Sequence, residues 1–127
     1  MSVEDAKRAV DIGCTGIMVS NHGGRQLDGS CASFDQLSAI VDAVGDKIDV
    51  ICEGGIQRGT HVLKALATGA KACSGGRLYL YALAGAGQQG VERALKILRT
   101  EIERDMKLMG CRSISELNRS HLRHRRS

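Results

Sequence analysis

The sequence predicts an α/β fold in which parallel strands lie beside helices. Three observations support this: short apolar segments alternate with helical segments, a glycine-rich polar loop follows each apolar segment, and the connections are short. Strands of parallel sheets are apolar without alternation because helices cover them. Three such units are expected to form one sheet. The pattern leaves open whether this sheet is part of a closed barrel or a small open sheet.

Helix and strand signals alternate from the first residues onward. Three capping residues predict helix starts, with glycines placed to end each helix: Ser2 with Gly13, Ser33 with Gly45, and Thr60 with Gly69. The predicted strands and the loops after them are 16–20 with 21–29, 50–52 with 53–59, and 70–74 with 75–77. A short helix over 78–84, a long helix over 90–109 and a turn over 113–116 complete the prediction.

The length and the charge restrict the interpretation further. The chain has 127 residues, whereas a complete (β/α)8 barrel needs roughly 200 to 250. The formal net charge is +4, and it comes from four arginines within residues 119–127. The rest of the chain has 14 basic and 14 acidic residues and therefore no net charge. We therefore predict a domain over 1–118 and a basic, disordered tail over 119–127. Aromatic residues make up only 2%, which argues against nucleic acid as a partner.

The cysteines and the apolar segments point to a cytoplasmic location. None of the five cysteines belongs to a C-x-x-C pair, so we interpret them as reduced thiols and expect neither a disulfide framework nor a metal site. The N-terminus lacks the pattern of a signal peptide. No apolar segment approaches the ~18 residues that a membrane span requires.

The loop after the first strand carries His22 and Arg25. An imidazole can accept a proton near neutral pH, and a guanidinium can bind a carboxylate through two parallel hydrogen bonds. Together they suit removal of a proton next to a carboxylate. On spacing alone, they can equally be surface residues of a glycine turn.

The next two loops suggest a phosphate site. Gly54, Gly55 and Gly59 precede a helix whose first amides can face an anion, and Gly76 with Arg77 adds further amides and a positive charge. The alternative is that these are ordinary glycine turns that lead into helices.

The residues of these loops resemble one family closely. Residues 20–28, Ser-Asn-His-Gly-Gly-Arg-Gln-Leu-Asp, resemble the active-site signature of the FMN-dependent 2-hydroxy acid dehydrogenase and oxidase family. This family includes glycolate oxidase, L-lactate dehydrogenase and flavocytochrome b2. Residues 53–60, Glu-Gly-Gly-Ile-Gln-Arg-Gly-Thr, and 90–94 resemble its flavin-phosphate segment and last barrel helix. The resemblance begins after the family's fifth strand and covers nearly the whole chain.

The resemblance implies an FMN cofactor, a small 2-hydroxy acid as substrate, and a role for each site residue. His22 is then the catalytic base and Arg25 holds the substrate carboxylate. The implied cofactor-binding residues are Glu53, Gly54, Gly55, Gln57, Gly76 and Arg77. It further implies a TIM (β/α)8 barrel of which this chain is the C-terminal part, about three βα units, and a homo-oligomer for the full-length protein. Whether His22 takes the hydroxyl proton or the Cα proton stays open.

The sequence departs from the family pattern at three positions. Glu53 replaces the usual Asp, Gln57 replaces an Arg that faces the phosphate, and Leu78 replaces a Pro. A lysine near the flavin ring and tyrosines near the substrate belong to the family's earlier strands, so we expect the chain to be inactive alone. A non-catalytic half-barrel that binds or self-assembles is the alternative function. A phosphate-binding barrel of another chemistry, such as a nucleotide dehydrogenase, is a third.

Overall fold

The computed structural model describes residues 1–123. Its elements follow the predicted order, with three strands that alternate with helices. They are α1 (Val3–Asp11), β1 (Gly16–Val19), α2 (Ser33–Val44), β2 (Asp49–Glu53), α3 (Gly59–Thr68), β3 (Ala72–Ser74) and α4 (Arg77–Met109), with single 3-10 turns at His22–Gly24, Ile114–Glu116 and Arg119–His121.

The three strands form one parallel sheet in the order β1-β2-β3. Ile17 pairs with Val50, and Cys52 pairs with Cys73. Because all strands run in the same direction, the loops that follow them gather at one end of the sheet. This confirms the prediction of a parallel sheet with flanking helices.

The core lies between one face of the sheet and the helices. Alternate strand residues point to opposite faces, and Val19, Val50 and Cys52 contribute one buried layer. Leu37 and Val44 of α2 are 0% exposed against it. On the other face of the sheet, Met18 is 53% exposed.

The long helix α4 is two helical segments joined by a kink. Ala86 has φ −152° and Gly87 has φ 57°, neither of which is helical. The predicted helices 78–84 and 90–109 therefore lie on either side of this kink. None of the helices in residues 1–123 combines the length and apolarity needed to cross a membrane.

The five cysteines are free in the structure, and Cys52 and Cys111 are buried. Burial raises the pKa of the Cys73 thiol to about 12, with a smaller contribution from Cys52. Burial also raises the pKa of Cys52. Such thiols stay protonated and behave as small apolar groups. Within residues 1–123, His, Cys, Asp and Glu form no cluster of three or more that could hold a metal ion.

Ordered structure extends past residue 118, where the sequence predicts a disordered tail. Arg119–His121 form a 3-10 turn capped by the Asn118 side chain. Arg119 reaches back to the body, donating to Asp42 Oδ1 at 2.5 Å and to the Thr68 carbonyl at 3.2 Å. The turn is thus held by hydrogen bonds to residues that are distant in the sequence, which a local pattern does not predict. Residues 124–127 of the predicted tail lie outside the described residues.

Candidate functional site

A cleft of about 440 Å³ lies at the carboxyl ends of the strands. The loops after β1, β2 and β3 all contribute to it, as expected where parallel strands end together. All eight site residues predicted from the sequence line this cleft: His22, Arg25, Glu53, Gly54, Gly55, Gln57, Gly76 and Arg77.

His22 occupies an unusual backbone conformation. It has φ 59°, and it is the one residue other than glycine with positive φ in residues 1–123. The left-handed region costs such a residue about 1–2 kcal/mol, so the surrounding contacts must hold it there. The His22 amide donates to Ser20 Oγ at 3.0 Å, and the Ser20 hydroxyl donates to the Glu53 carboxylate. The His22 side chain is thereby presented in the cleft, on an exposed residue.

Ser33 joins the first loop to the second. Its hydroxyl accepts from the Asn21 amide at 3.1 Å, although the sequence predicts that it caps α2. The residue that precedes α2 is Ala32, without a side-chain cap, so the capping prediction is wrong. A Cβ at Gly54 would lie 2.8 Å from Ser33 Oγ. Gly54 also has φ 111°, which a side chain rarely tolerates. The glycine is therefore needed for the two loops to approach.

Two guanidinium groups face the cleft from different loops. Arg77 Nη2 donates to the Gly23 carbonyl at 2.8 Å, which ties the loop after β3 to the loop after β1. Within residues 1–123, the exposed Arg25 forms no ion pair. Its charge is available for an anionic ligand in the same cleft.

The start of α3 is not an open anion site, in contrast to the prediction from its glycines. The Gly59 amide donates to Glu101 Oε2 at 2.7 Å, so a carboxylate from α4 already binds this helix terminus. The sequence predicts that Thr60 caps this helix, and that prediction is wrong. The residue that precedes α3 is Arg58, which provides no side-chain cap. The tertiary contact with Glu101 therefore takes the place of a cap by a residue next to the helix.

The start of α4 is different. Gly76 precedes it without any side-chain cap, and Gly76, Arg77, Leu78 and Tyr79 line the cleft. The first amides of a helix have no partner inside the helix and attract anions. This terminus, together with the Arg77 charge, is the better candidate for a phosphate.

Sequence reasoning missed three residues that organise the site. They are Ser20, which bonds to Glu53 and His22; His61, whose Nδ1 lies 3.0 Å from the Gly55 carbonyl oxygen and 3.3 Å from the Gln57 amide nitrogen; and Glu101. The position of Ser20 directly after a strand was a usable signal. Glu101 carried none, because its partners are 42 and 43 residues away.

Comparison with known proteins gives consistent matches. The family model described as FMN-dependent dehydrogenase matches residues 1–124. Pre-mycofactocin synthase of Mycobacterium tuberculosis (strain ATCC 25618 / H37Rv) is 51% identical over 118 residues, which are 93% of this chain and 30% of that protein. L-lactate oxidase of Nostoc sp. is 49% identical over 94% of this chain and 33% of its own length.

Solved structures agree. A mandelate oxidase with benzoyl-formic acid superimposes with a TM-score of 0.88 at 49% identity, covering 94% of this chain and 36% of that one. A flavocytochrome b2 mutant superimposes with a TM-score of 0.87 at 48% identity, covering 92% of this chain and 32% of that one. The chain spans about a third of the length of the curated relatives that it matches. It belongs to the FMN-dependent dehydrogenase family, which includes oxidases named for 2-hydroxy acids such as L-lactate.

Proposed function

We propose that this chain is the C-terminal part of a (β/α)8-barrel enzyme that oxidises an L-2-hydroxy acid to the 2-oxo acid with FMN. The observation that carries the proposal is that all eight predicted site residues line one cleft. The domain is proposed to cover 1–118. The open sides of β1 and β3 in the described part of the chain support a partial barrel, since each pairs with β2 alone.

The residues present fit the phosphate and ribityl parts of FMN. The uncapped start of α4 and the Arg77 guanidinium suit a phosphate. Gly54 and Gly55 line the cleft, and Gly55 leaves room for close approach to its backbone, since nothing lies within 4 Å of a Cβ built there. The Glu53 carboxylate can accept hydrogen bonds from hydroxyl groups. Gln57 contributes an amide where a positive charge would bind phosphate more strongly. When bound, the flavin supplies the acceptor for two electrons.

The chain's own residues then have defined tasks. Arg25 binds the substrate carboxylate through its guanidinium, which orients the hydroxyl-bearing carbon. Neutral His22 accepts a proton from the substrate, either from the hydroxyl or from Cα. Ser20 and Glu53 hold the His22 backbone in its left-handed conformation. In both cases, His22 must be unprotonated before turnover.

The first test is whether the purified chain retains FMN after desalting, read from its visible absorbance. Retained flavin supports the cofactor site. No flavin, even after FMN is added, contradicts the proposed site in this chain.

The catalytic role is tested in a chimera in which residues 1–118 replace the matching segment of Nostoc L-lactate oxidase. We expect it to form the 2-oxo acid from L-lactate, and His22→Gln to lower kcat by roughly 10²–10⁴-fold with flavin content unchanged. Gln26→Ala, in the same loop but outside the cleft lining, is the control. Equal turnover with and without His22 would exclude it as the base.

A non-catalytic self-assembling half-barrel is the second candidate. The open edges of β1 and β3 and the exposed Met18 favour it, because pairing of two copies would cover them. Light scattering distinguishes the two candidates: a folded monomer excludes self-assembly, whereas a dimer without flavin favours it. Homo-oligomerisation of the full-length enzyme is a separate part of the first proposal.

We also propose a cytoplasmic location, which the five free cysteines support. One relative, from Arabidopsis thaliana, is named a peroxisomal (S)-2-hydroxyacid oxidase. Imaging of a tagged chain distinguishes the two compartments.

A further inference from the structure

A buried carboxylate connects α4 to the loop that follows β2. Glu101 is 8% exposed and both of its oxygens are hydrogen-bonded. Oε1 lies 2.8 Å from Arg58 Nε and 2.7 Å from Arg58 Nη2. Oε2 accepts from the Gly59 amide at 2.7 Å. A carboxylate with this many partners is held in one geometry.

The backbone of α4 comes equally close. A Cβ at position 59 would lie 2.6 Å from Glu101 Cβ and 2.7 Å from the Ile102 amide nitrogen. These are contacts that must shift if a side chain is added. The absence of a side chain at Gly59 therefore lets Glu101 reach the start of α3.

The loop of residues 54–57 lies between β2 and the contact with Glu101, and it lines the cleft. Gly54, Gly55 and Gln57 face the site, and Arg58 and Gly59 follow directly. Two glycines give such a loop many backbone conformations, and ordering it costs free energy. At its first end, Gly54 lies against Ser33 and Asn21. At its other end, Glu101 holds Arg58 and Gly59.

The contact with Glu101 also determines where the positive charge of Arg58 lies. Its guanidinium is bonded to Glu101 and is absent from the cleft lining, although Gln57 beside it faces the cleft. Arg58 is therefore committed to the loop anchor and does not replace the missing charge at position 57.

We propose that Glu101 is a positioning residue that, through Arg58 and Gly59, holds the loop 54–57 in the conformation that receives the phosphate of the cofactor. The identity of the ligand rests on the proposed function. The positioning itself is a property of the chain without ligand and can be tested separately.

The test compares Glu101→Gln with Glu103→Gln in the 127-residue chain. Glu103 is the matched control because it lies on the same helix and its bond to Arg99 is on the surface, with the Arg99 side chain 82% exposed. In the ligand-free chain, we expect E101Q to speed amide hydrogen exchange over 54–61 by about 10-fold, the effect of losing a charged hydrogen bond. E103Q should leave it unchanged. Unchanged exchange in E101Q overturns the proposal, as does a uniform increase over the whole chain.

The second measurement compares the affinities for FMN and for riboflavin, which lacks the phosphate. We expect E101Q to weaken FMN binding about 10-fold while riboflavin binding changes little. An equal loss for both ligands, or no loss, overturns the assignment to the phosphate. If the wild-type chain binds neither flavin, the proposed flavin site in this chain fails, and faster local exchange in E101Q still supports positioning. If E101Q does not fold, Arg58→Gln tests the same contact from a side chain that is 63% exposed.

Discussion

The starts of α3 and α4 follow similar glycine-rich loops but are used in opposite ways. At α3, the Gly59 amide is bonded to the buried Glu101 carboxylate. At α4, Gly76 has no side-chain cap and lines the cleft. One helix terminus is closed by the protein's own anion, and the other is open for an anionic ligand. A glycine-rich turn before a helix therefore identifies a possible anion site, and its tertiary neighbours decide whether the site is free.

Removal of the charge at the open terminus should have the largest effect. We expect Arg77→Gln to weaken FMN binding by roughly 10- to 100-fold, because a charged hydrogen bond contributes about 1.5–3 kcal/mol. Titration with FMN and riboflavin measures it, and riboflavin should lose little. If riboflavin binding falls as much, Arg77 acts through its bond to the Gly23 carbonyl rather than through the phosphate.

A side chain at the closed terminus should destabilise the fold. Gly59→Ala places a Cβ 2.6 Å from Glu101 Cβ, and such overpacking costs about 1–3 kcal/mol. Urea unfolding measures the change in free energy. Gly85→Ala is the control, since no atom lies within 4 Å of a Cβ there. Equal stability of the two variants would mean that α3 and α4 separate at little cost.

A charge added beside the open terminus should sharpen the contrast. Gln57 is exposed and lines the cleft, so Gln57→Arg is expected to tighten FMN binding about 10-fold. Gln26→Arg adds the same charge outside the cleft lining and should change the affinity little. Equal gains from both would indicate long-range attraction instead of a contact.

Acidification should weaken the contact between Glu101 and the start of α3, and we expect this to have the smallest effect on stability. The hydrogen bond from Arg58 and that from the Gly59 amide lower the pKa of the Glu101 carboxyl in the folded chain. An unfolded Glu titrates near 4.3, so between that pH and the lowered pKa of the folded chain the unfolded chain binds more protons. Stability from Glu101 is therefore complete above about pH 5 and falls as the pH drops through the lowered pKa.

Urea unfolding at several pH values tests this sign. The stability difference between wild type and E101Q should shrink as the pH is lowered from 6 to below 4. The pKa of Glu103 is also lowered, by its bond to Arg99, but exposed pairs contribute little, so E103Q should show almost no trend. A difference that stays constant with pH would show that the Glu101 charge does not stabilise the fold.

The prediction from sequence succeeded where the signal is local. The parallel sheet follows from apolar segments that alternate with helices, and the cleft follows from polar loops at the strand ends. The helix start at Ser2 was also predicted, and its side chain accepts from the Asp5 amide at 3.1 Å. The caps predicted at Ser33 and Thr60 were wrong. The Ser33 hydroxyl accepts from the Asn21 amide instead, and the Gly59 amide at the start of α3 donates to Glu101.

The sequence by itself therefore determined the order of elements, the sheet and the eight predicted residues that line the cleft. Periodicity and glycine placement act over a few residues and are readable along the chain. Only the tertiary structure decided that Ser33 joins two loops, that Glu101 closes α3, and that α4 remains open to the cleft. These contacts join residues 12 and 42 positions apart in two of the three cases. Hydrogen bonding of this kind depends on distance in space, which no local pattern encodes.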